Sequence, residues 1–333
     1  MYKLIFFNMM ILGTLISISS YSWLAMWMGL EINMLSIIPL FSSTKNMYSS
    51  ESAMKYFITQ AMASMILLFS VIMMMTSEEF INPVMNSNLL LILNSALLTK
   101  VGAAPFHYWF PEVMEGLNWI NCMILLTWQK IAPMILVMNN LLNKEFLFMI
   151  IITSLIISTI MSFNQISLRK IMAYSSINHI GWMISSILIS KSIWFIYFSI
   201  YTFISINLIY IFNKFNCYYL TQLLSLINQN KILKINFMMN FLSLGGIPPF
   251  IGFFPKWLNI NWLILNNNYT LTFMLIMFTL IMLYIYIRMT FTSIVIMHNE
   301  YKMLNKSPSL MFSIMNFVSL TLLIFCTMMF NFY

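Results

Sequence analysis

Three lysines lie deep inside long apolar segments, where a charged side chain is costly. Lys100, Lys130 and Lys256 each stand well away from the nearest polar flank. A charge at the centre of a bilayer costs roughly 2.5–3.5 kcal/mol on insertion scales. Burial favours the neutral form of an amine, so such lysines can exchange protons near neutral pH. The pattern predicts proton handling inside a membrane.

Glu31, in the segment WMGLEINML, lies at a similar depth in another apolar segment. Opposite charges a few ångströms apart favour each other's charged form, while burial opposes charge. We expect Glu31 and Lys100 to form an ion pair or a separable near-pair, because separation would lower the proton affinity of the amine. A static ion pair that fixes helix register is the structural alternative.

Lys130 and Lys256 are predicted to act as proton relays for the same reason. Lys130 lies in TWQKIAPM, next to Gln129 and less than one turn before Pro133. A lysine stem reaches about 6 Å, whereas a dozen helical residues rise about 18 Å, so Lys130 is too deep to snorkel. Lys256 follows a predicted helix break closely.

The histidines and the remaining acids carry weaker signals. His179 lies in the polar island AYSSINHIGWM and titrates closest to neutral pH. It is predicted to relay protons, with a hydrogen-bonded core residue as the alternative. His107 stands in a predicted helix break, and its role stays open. Glu112 and Glu115 are predicted to form a solvated helix end or a contact to a neighbouring subunit, with proton entry as the alternative.

The composition places these residues in a polytopic membrane protein of the all-α class. The chain is 61% hydrophobic and 7% charged, whereas soluble domains average about 45–50% and 25%. The net charge of +8 therefore indicates basic loops on the side from which helices insert, and not nucleic-acid binding.

A spanning helix needs about 20 largely apolar residues. Eleven transmembrane segments are predicted, at 4–20, 21–42, 53–75, 88–118, 119–140, 146–163, 170–190, 192–213, 235–266, 270–291 and 309–331. The longest loops are predicted near 214–234 and 292–308. The whole chain is expected to form a single helical transmembrane domain.

The distribution of basic residues supports this count. Eleven flanking lysines and arginines fall on the same side as the amino terminus, whereas Lys144 and Lys191 fall on the opposite side, which also carries Glu78 and Glu79. The positive-inside rule then predicts the amino terminus on the insertion side and the carboxyl terminus across the membrane.

Two predicted spans, 88–118 and 235–266, are longer than a bilayer requires and contain helix breakers. The breakers are Pro105 and Pro111 in the first span and Gly245, Gly246, Pro248 and Pro249 in the second. Proline opens a helix, and an open turn at membrane depth must be buried in protein or line a wet cavity.

The breaks fall in the fourth and ninth spans. This predicts two five-helix repeats, 1–143 and 144–292, followed by a loop and a final helix in 293–333. Since five is odd, the second repeat would be inverted in the membrane.

Other chemistry is not indicated by the sequence. We find no dinucleotide or phosphate-binding glycine pattern, no HExxH segment and no clustered cysteines. Cys122, Cys217 and Cys326 share no CxxC spacing, so no disulfide or metal site is predicted. The chain is expected to hold no redox cofactor, and the energy for proton movement must come from a partner.

The residue usage indicates a mitochondrial gene. Met occurs 34 times, whereas Gly and Pro occur 8 and 9 times. The favoured residues have A/T-rich codons, and the Met excess suits a code in which ATA is read as Met. A Met-rich adaptable binding surface is the alternative.

Several segments carry a family resemblance. WMGLE, TKVGAAPFHYWFPEVMEG, LTWQKIAP, LRKIMAYSSINHIGWM and LSLGGIPPFIGFFPKW resemble the subunit 2 family of mitochondrial NADH–ubiquinone oxidoreductase, respiratory complex I, in its insect form. The resemblance covers essentially the whole chain. This family belongs with the antiporter-like subunits, which are similar to multi-subunit cation/proton antiporters.

The resemblance implies two inverted five-helix repeats and a place in the membrane arm of complex I. Glu31 and Lys100 would be the pair of the first half-channel, Lys130 the central lysine, His179 a central-axis relay, and Lys256 the terminal lysine of the second half-channel. Compared with bacterial relatives, the chain is expected to be three helices short at its amino terminus, which would affect the lipid or subunit contacts of those helices and leave these positions untouched.

The resemblance also implies which subunits, membrane and cofactors surround the chain. The partners would be other membrane-arm subunits, including further antiporter-like subunits, accessory subunits and membrane phospholipids, in the mitochondrial inner membrane. NADH, FMN, iron–sulfur clusters and ubiquinone would bind in partner subunits.

The predicted function is proton translocation from matrix to intermembrane space, driven by redox chemistry in other subunits. Two alternatives stay open. A stand-alone cation/proton antiporter would exchange ions by itself, and a purely structural subunit would support assembly without pumping.

Overall fold

The computed structural model describes residues 2–43, 46–77, 83–141, 144–227, 231–295 and 317–318. Within these ranges the chain is helical, with one isolated backbone bridge between Ser167 and Tyr219, so the predicted all-α class is confirmed. The helices are α1 Tyr2–Ser19, α2 Trp23–Phe41, α3 Met47–Ser77, α4 Pro83–Val101, α5 Trp109–Gly116, α6 Trp119–Leu126, α7 Trp128–Asn139, α8 Lys144–Ser162, α9 Leu168–Ile187, α10 Lys191–Phe215, α11 Leu220–Ile227, α12 Lys231–Gly245, α13 Phe253–Leu265 and α14 Tyr269–Val295.

Seven helical segments in the described ranges are long and apolar enough to cross a membrane. They are α1, α2, α3, the α6–α7 pair, α8, α10 and α14. Helix α9 is more polar, but all its residues except Arg169 and Lys170 are buried, so protein surrounds its polar island. The eleventh span, predicted at 309–331, lies outside the described residues apart from 317–318.

Both predicted helix breaks are present. Helix α4 ends at Val101 and α5 begins at Trp109, while α12 ends at Gly245 and α13 begins at Phe253. The segments between them run in turns. The predicted polar loop at 214–234 differs from expectation because it contains α11, whose leucines and isoleucine recur at helical spacing.

A third break was not predicted. The segment 119–140, expected as one continuous span, divides at Thr127 into α6 and α7. The Thr127 hydroxyl donates to the Met123 carbonyl at 2.7 Å, a local bond that bends helices. Pro133, inside α7, also removes one backbone donor just after the bend.

The chain forms two compact units, Met1–Thr153 and Ser154–Tyr333. In the first unit, α1 packs on α2, α3 packs on α4 and α5, and α4 packs on α7. In the second, α10 packs on α9, α12 and α13, and α14 packs on α12. The division falls inside α8, and the two repeats with their inverted relation stay a prediction.

The contact between α1 and α2 depends on two glycines. A Cβ atom on Gly13 would lie 2.7 Å from the Asn33 backbone nitrogen, and one on Gly29 would lie 2.6 Å from that of Ser17. Small residues allow membrane helices to approach through their backbones. The two glycines therefore set the distance between these helices.

We expect Gly29→Ala to lower the stability of the first unit by about 1–3 kcal/mol, because a methyl group would push two backbones apart. The thermal unfolding midpoint of the purified full chain measures this. Met28→Ala is the matched control, since Met28 is adjacent and 52% exposed. Equal midpoints for the two variants would contradict the prediction.

Candidate functional site

Both broken helices end in the same backbone motif. At the end of α4 the Gly102 amide donates to the Thr99 carbonyl at 3.2 Å, and the Ala103 amide donates to the Leu98 carbonyl at 3.1 Å. Bonds with the same spacing occur around Gly246 at the end of α12. Gly102 and Gly246 have φ of 81° and 76°, the left-handed conformation that favours glycine in this Schellman ending.

The motif is repeated in the sequence as well. The pattern G-x-x-P-F-x-x-x-F-P occupies 102–111 and again 246–255. Both breaks were predicted from the sequence, but this match was not, although it is the kind of signal that a search for internal repeats detects. In this alignment Lys256 corresponds to Glu112, and Lys100 corresponds to Leu244. The two units therefore place their lysines on opposite sides of the break.

Lys256 closes the end of α12 from across the break. It lies in the first turn of α13, and its Nζ donates to the carbonyls of Gly245 at 2.9 Å and Leu244 at 3.3 Å. These are carbonyls without a partner inside the helix, and the negative end of the helix dipole favours a cation there. A Cβ atom on Gly246 would lie 2.8 Å from Lys256 Cδ, so the glycine also makes room for the lysine stem.

Lys100 occupies the last turn of α4 and is 7% exposed. Neutral side chains bond the carbonyls around it: Gln60 Nε2 donates to the Lys100 carbonyl at 3.5 Å, and Trp109 Nε1 donates to the Thr99 carbonyl at 3.0 Å. Lys100 thus belongs to the last turn of a helix, where the dipole favours a cation, and other donors already bond the terminal carbonyls there.

Glu31 lies in α2 and acts electrostatically on the Lys100 amine. Its Oε1 is enclosed and makes no hydrogen bond. Direct ion pairs join Lys55 to Glu51 and to Glu112, whereas Glu31 and Lys100, both in the described part of the chain, form no such pair. The two side chains interact through space, and their predicted role in proton transfer stays a prediction.

Lys130 is the most deeply buried of the three lysines, at 1% exposure. It lies in the first turn of α7, immediately after the bend at Thr127, with Nζ 5.7 Å from the centre of the Phe110 ring. The bend therefore places the amine at a helix beginning inside the protein. Lys130 was singled out from the sequence, but the bend at Thr127 that positions it was not predicted.

A buried amide network surrounds the neighbouring Gln129. Gln129 and Asn33 exchange two side-chain bonds, at 3.1 and 3.2 Å, and the Tyr56 hydroxyl donates to Gln129 Oε1 at 3.3 Å. The network joins α2, α3 and α7. Asn33 and Tyr56 were not predicted, since single polar residues in apolar helices give no signal of what they face.

His179 lies in the middle of α9 and is 5% exposed. Its Nδ1 is 2.9 Å from the Tyr197 hydroxyl, and its ring centre is 5.0 Å from that of Tyr201. The buried Tyr201 lies beside Ser176, and the buried Tyr286 lies beside Ser175. The predicted polar island is thus a hydroxyl-rich cluster.

A small cavity connects this cluster to the second break. His179, Tyr197 and Tyr201 line one part of it, and Ser243, Leu244, Gly252 and Pro255 line the other. Lys256 Nζ also lies 5.8 Å from the centre of the Trp182 ring, one turn after His179. The second unit therefore brings together His179 and the helix end that Lys256 closes.

The secondary candidates have different surroundings. His107 is buried, with its Nδ1 3.3 Å from the Pro105 carbonyl. Glu112 pairs with the exposed Lys55 at 3.2 Å, and Lys55 also pairs with Glu51 at 3.0 Å. Glu112 thus belongs to an exposed ionic cluster, as a solvated helix end would.

The candidate residues fall into two sets. The first unit holds Glu31, Lys100 and Lys130, and the second holds His179 and Lys256. Within the ranges that the structure describes, no group of three or more His, Cys, Asp or Glu side chains could hold a metal ion. The chemistry that these residues support is proton binding and release.

The chain matches one protein family and has similar relatives in insects. Residues 20–283 match the family model described as NADH:quinone oxidoreductase/Mrp antiporter, transmembrane. The chain is 48% identical over 333 residues to NADH-ubiquinone oxidoreductase chain 2 of Aedes aegypti, covering 98% of this chain and 97% of the relative. It is 45% identical over 332 residues to the protein of that name from Anopheles gambiae, with the same coverage.

A solved structure has a similar fold. A chain of respiratory complex I from Thermus thermophilus with bound aureothin superposes with a TM-score of 0.85 at 20% identity, covering 97% of this chain and 77% of that chain. At this level of identity the likeness concerns the fold.

Proposed function

Because the chain belongs to the NADH:quinone oxidoreductase/Mrp antiporter transmembrane family, we propose that it is a proton-translocating membrane-arm subunit of mitochondrial NADH:ubiquinone oxidoreductase. It would move protons from the matrix to the intermembrane space. The observation that carries the proposal is the burial of Lys100, Lys130 and Lys256 beside three interrupted helices.

For two of the buried lysines, opposing effects act on the free energy of the protonated amine. Lys100 and Lys256 bear on helix ends whose dipole favours the protonated amine, and burial favours the neutral form. The same two effects, helix dipole and burial, oppose each other in both units. A small change in either effect would therefore make the lysine bind or release a proton.

The first unit would load protons through Glu31 and Lys100. Because Glu31 and Lys100 form no direct ion pair, a movement of α2 would change the distance between the carboxylate and the amine and with it the proton affinity of Lys100. Lys130 would receive the proton next, as the central relay. In the second unit, His179 and Lys256 would form the exit, and a proton would cross through the small cavity that His179 and Leu244 line.

The repeated motif supports two structurally related repeats. Its copies are 144 residues apart, with Gly102 matching Gly246, which is close to the length of the proposed repeats 1–143 and 144–292. The charge bias of the loops supports an amino terminus in the matrix and a carboxyl terminus in the intermembrane space.

The redox cofactors would lie elsewhere. NADH, FMN, iron–sulfur clusters and ubiquinone would bind in partner subunits, and further antiporter-like and accessory subunits would contact this chain in the membrane. Free energy from quinone reduction would reach Lys100 and Lys256 as electrostatic and conformational change.

We expect Lys100→Ala to lower the number of protons pumped per NADH oxidised, because the loading site is removed while the redox subunits stay intact. The measurement is proton uptake by reconstituted complex, with assembly checked by native electrophoresis. Lys55→Ala is the matched control, since its amine is exposed and in the same unit.

The outcome also separates the alternatives. An unchanged proton ratio in a fully assembled Lys100→Ala complex would reject the pumping role. If the lysine variants fail to assemble into the complex and none of them shows a specific pumping defect, the chain would be a purely structural subunit. Cation/proton exchange by the chain alone in liposomes would favour a stand-alone antiporter.

A further inference from the structure

Two buried side-chain amides link the helix that carries Glu31 to the helix that carries Lys130. Asn33 lies in α2, two residues after Glu31, and Gln129 lies in α7, directly before Lys130. Each amide donates to the oxygen of the other, at 3.2 and 3.1 Å, and both side chains are at most 9% exposed. Asn33 and Gln129, the amide pair, thus tie the backbone of Glu31 to the backbone of Lys130.

The amide pair can transmit a movement but does not carry a proton. A side-chain amide is both donor and acceptor, and it is not among the groups that titrate near neutral pH. Two reciprocal bonds fix the distance and the orientation between the partners. Separation would remove these bonds in an interior of low dielectric, where an unpaired polar group is costly. We therefore expect α2 and the start of α7 to move together.

Helix α2 holds the chain on both sides of the bend at Thr127. Before the bend, Asn121 Nδ2 of α6 donates to the Leu40 carbonyl at 3.1 Å, in the last turn of α2, where carbonyls lack partners inside the helix. After the bend, the amide pair holds Gln129. The two attachment points are seven residues apart on α2, or about 10 Å. Because α2 bridges the bend, a movement of α2 changes the direction in which α7 carries Lys130.

Helix α3 extends this connection to Lys100. Tyr56 and Gln60 lie four residues apart, on the same face of α3. The Tyr56 hydroxyl donates to Gln129 Oε1 at 3.3 Å, and Gln60 Nε2 donates to the Lys100 carbonyl at 3.5 Å. One turn of α3, about 6 Å along the helix axis, therefore separates the contact at Lys100 from the contact next to Lys130.

The same face of α3 also bonds α2 near Glu31. Trp27 is one turn before Glu31 on α2, and its Nε1 donates to the Ser64 carbonyl of α3 at 3.1 Å. Ser64 follows Gln60 by one turn on α3. Residues four apart share a helix face, so Glu31 lies on the face of α2 that packs toward α3. A shift of α2 along α3 would therefore act on Glu31 and on the amide pair at once.

We propose that Asn33 and Gln129 are positioning residues that couple Lys130 to the site of Glu31 and Lys100. This inference rests on the proposed function and adds how the state of one lysine reaches the next. A movement of α2 that changes the distance between Glu31 and Lys100 also turns the start of α7 through the amide pair. The Lys130 amine then moves as the proton affinity of Lys100 changes, so proton loading and proton transfer stay in step.

The test replaces the network by apolar side chains of similar size, Asn33→Leu with Gln129→Met and Tyr56→Phe. Loss of all partners of a buried hydrogen bond can be nearly neutral for stability, whereas loss of one partner is not. This triple variant is therefore expected to assemble and to unfold near the temperature of the unaltered complex. Its protons pumped per NADH oxidised should fall to the level of Lys100→Ala, whereas a purely structural role would leave that ratio unchanged.

A second set of variants does not depend on the triple replacement. Gln129→Asn shortens one amide by a methylene group, so both reciprocal bonds can no longer form, and the proton ratio should fall. Asn33→Gln in the same chain restores the summed length of the two side chains and should restore the ratio. Ser36→Ala is the matched control on α2, because the buried Ser36 hydroxyl donates to a carbonyl of its own helix, and it should pump normally.

A combination with Lys100→Ala distinguishes failure of this inference from failure of the proposed function. Adding Lys100→Ala to the triple variant should cause no further loss, because residues that act as a unit have non-additive effects. If Lys100→Ala lowers the proton ratio, the inference would be overturned by a normal ratio in the assembled triple variant or in Gln129→Asn. An equally low ratio with and without Asn33→Gln would also overturn it. A normal ratio in Lys100→Ala would reject both the inference and the proposed function.

Discussion

Replacement of Lys130 by Met should abolish proton transfer through the first unit while leaving the fold in place. Met has a similar unbranched shape, so it fills the volume of a side chain that is 1% exposed without an amine to protonate. General acid–base groups contribute about 10²–10⁴-fold to the reactions they serve. The proton current through this site should therefore fall by about two orders of magnitude or more.

The protons pumped per NADH oxidised measure this effect in the reconstituted complex. Lys130→Arg provides the sharper comparison, because arginine keeps the charge but does not release its proton. A relay role requires both variants to fail, whereas a purely structural charge would be restored by arginine. Lys144→Met, at the exposed start of α8, controls for the loss of one lysine, and a normal proton ratio in Lys130→Arg would contradict the relay.

Gly252→Ala is expected to disrupt the second unit more severely than any other small substitution in the breaks. A Cβ atom on Gly252 would collide with the backbone carbonyl oxygen of Ser243. This oxygen belongs to the last turns of α12, so it cannot rotate away as a side chain would. The cost should be about 3 kcal/mol or more, the upper end for overpacking, and the cavity beside His179 should change shape.

Gly245→Ala is the matched control in the same break. The nearest atom to its added methyl group would be Tyr286 Cδ2 at 3.5 Å, an ordinary contact. We expect Gly245→Ala to accumulate and unfold like the unaltered chain, and Gly252→Ala to be depleted from membranes and to unfold at a lower temperature. Similar unfolding midpoints for the two variants would refute this account of the break.

The two predictions address different parts of the proposal. Lys130→Met removes chemistry and spares packing, whereas Gly252→Ala changes packing and removes no titratable group. If only the first lowers the proton ratio in assembled complex, the buried amine is the essential feature. If protein that survives Gly252→Ala also pumps poorly, the geometry of the second break contributes to proton transfer as well.

Periodicity explains why so much of the fold was predictable. An apolar run of bilayer length can satisfy its backbone only as a helix, so α1, α2, α8, α10 and α14 were predicted to within a few residues, whereas α3 begins six residues before its predicted start. The breaks at 102–108 and 246–252 were predictable because glycine and proline act through local backbone geometry. The bend at Thr127 was missed, since threonine interrupts a helix only in some surroundings.

The sequence by itself determined which residues are candidates for proton chemistry, because a charge in an apolar helix is improbable unless it is used. Lys100, Lys130, Lys256, Glu31 and His179 were identified on that ground, and their roles remain to be tested. Only the tertiary structure decided what each of them faces. The bonds from Lys256 to Leu244 and Gly245, and the bond from His179 to Tyr197, each join two different helices. Helical spacing does not encode which helix packs against which face.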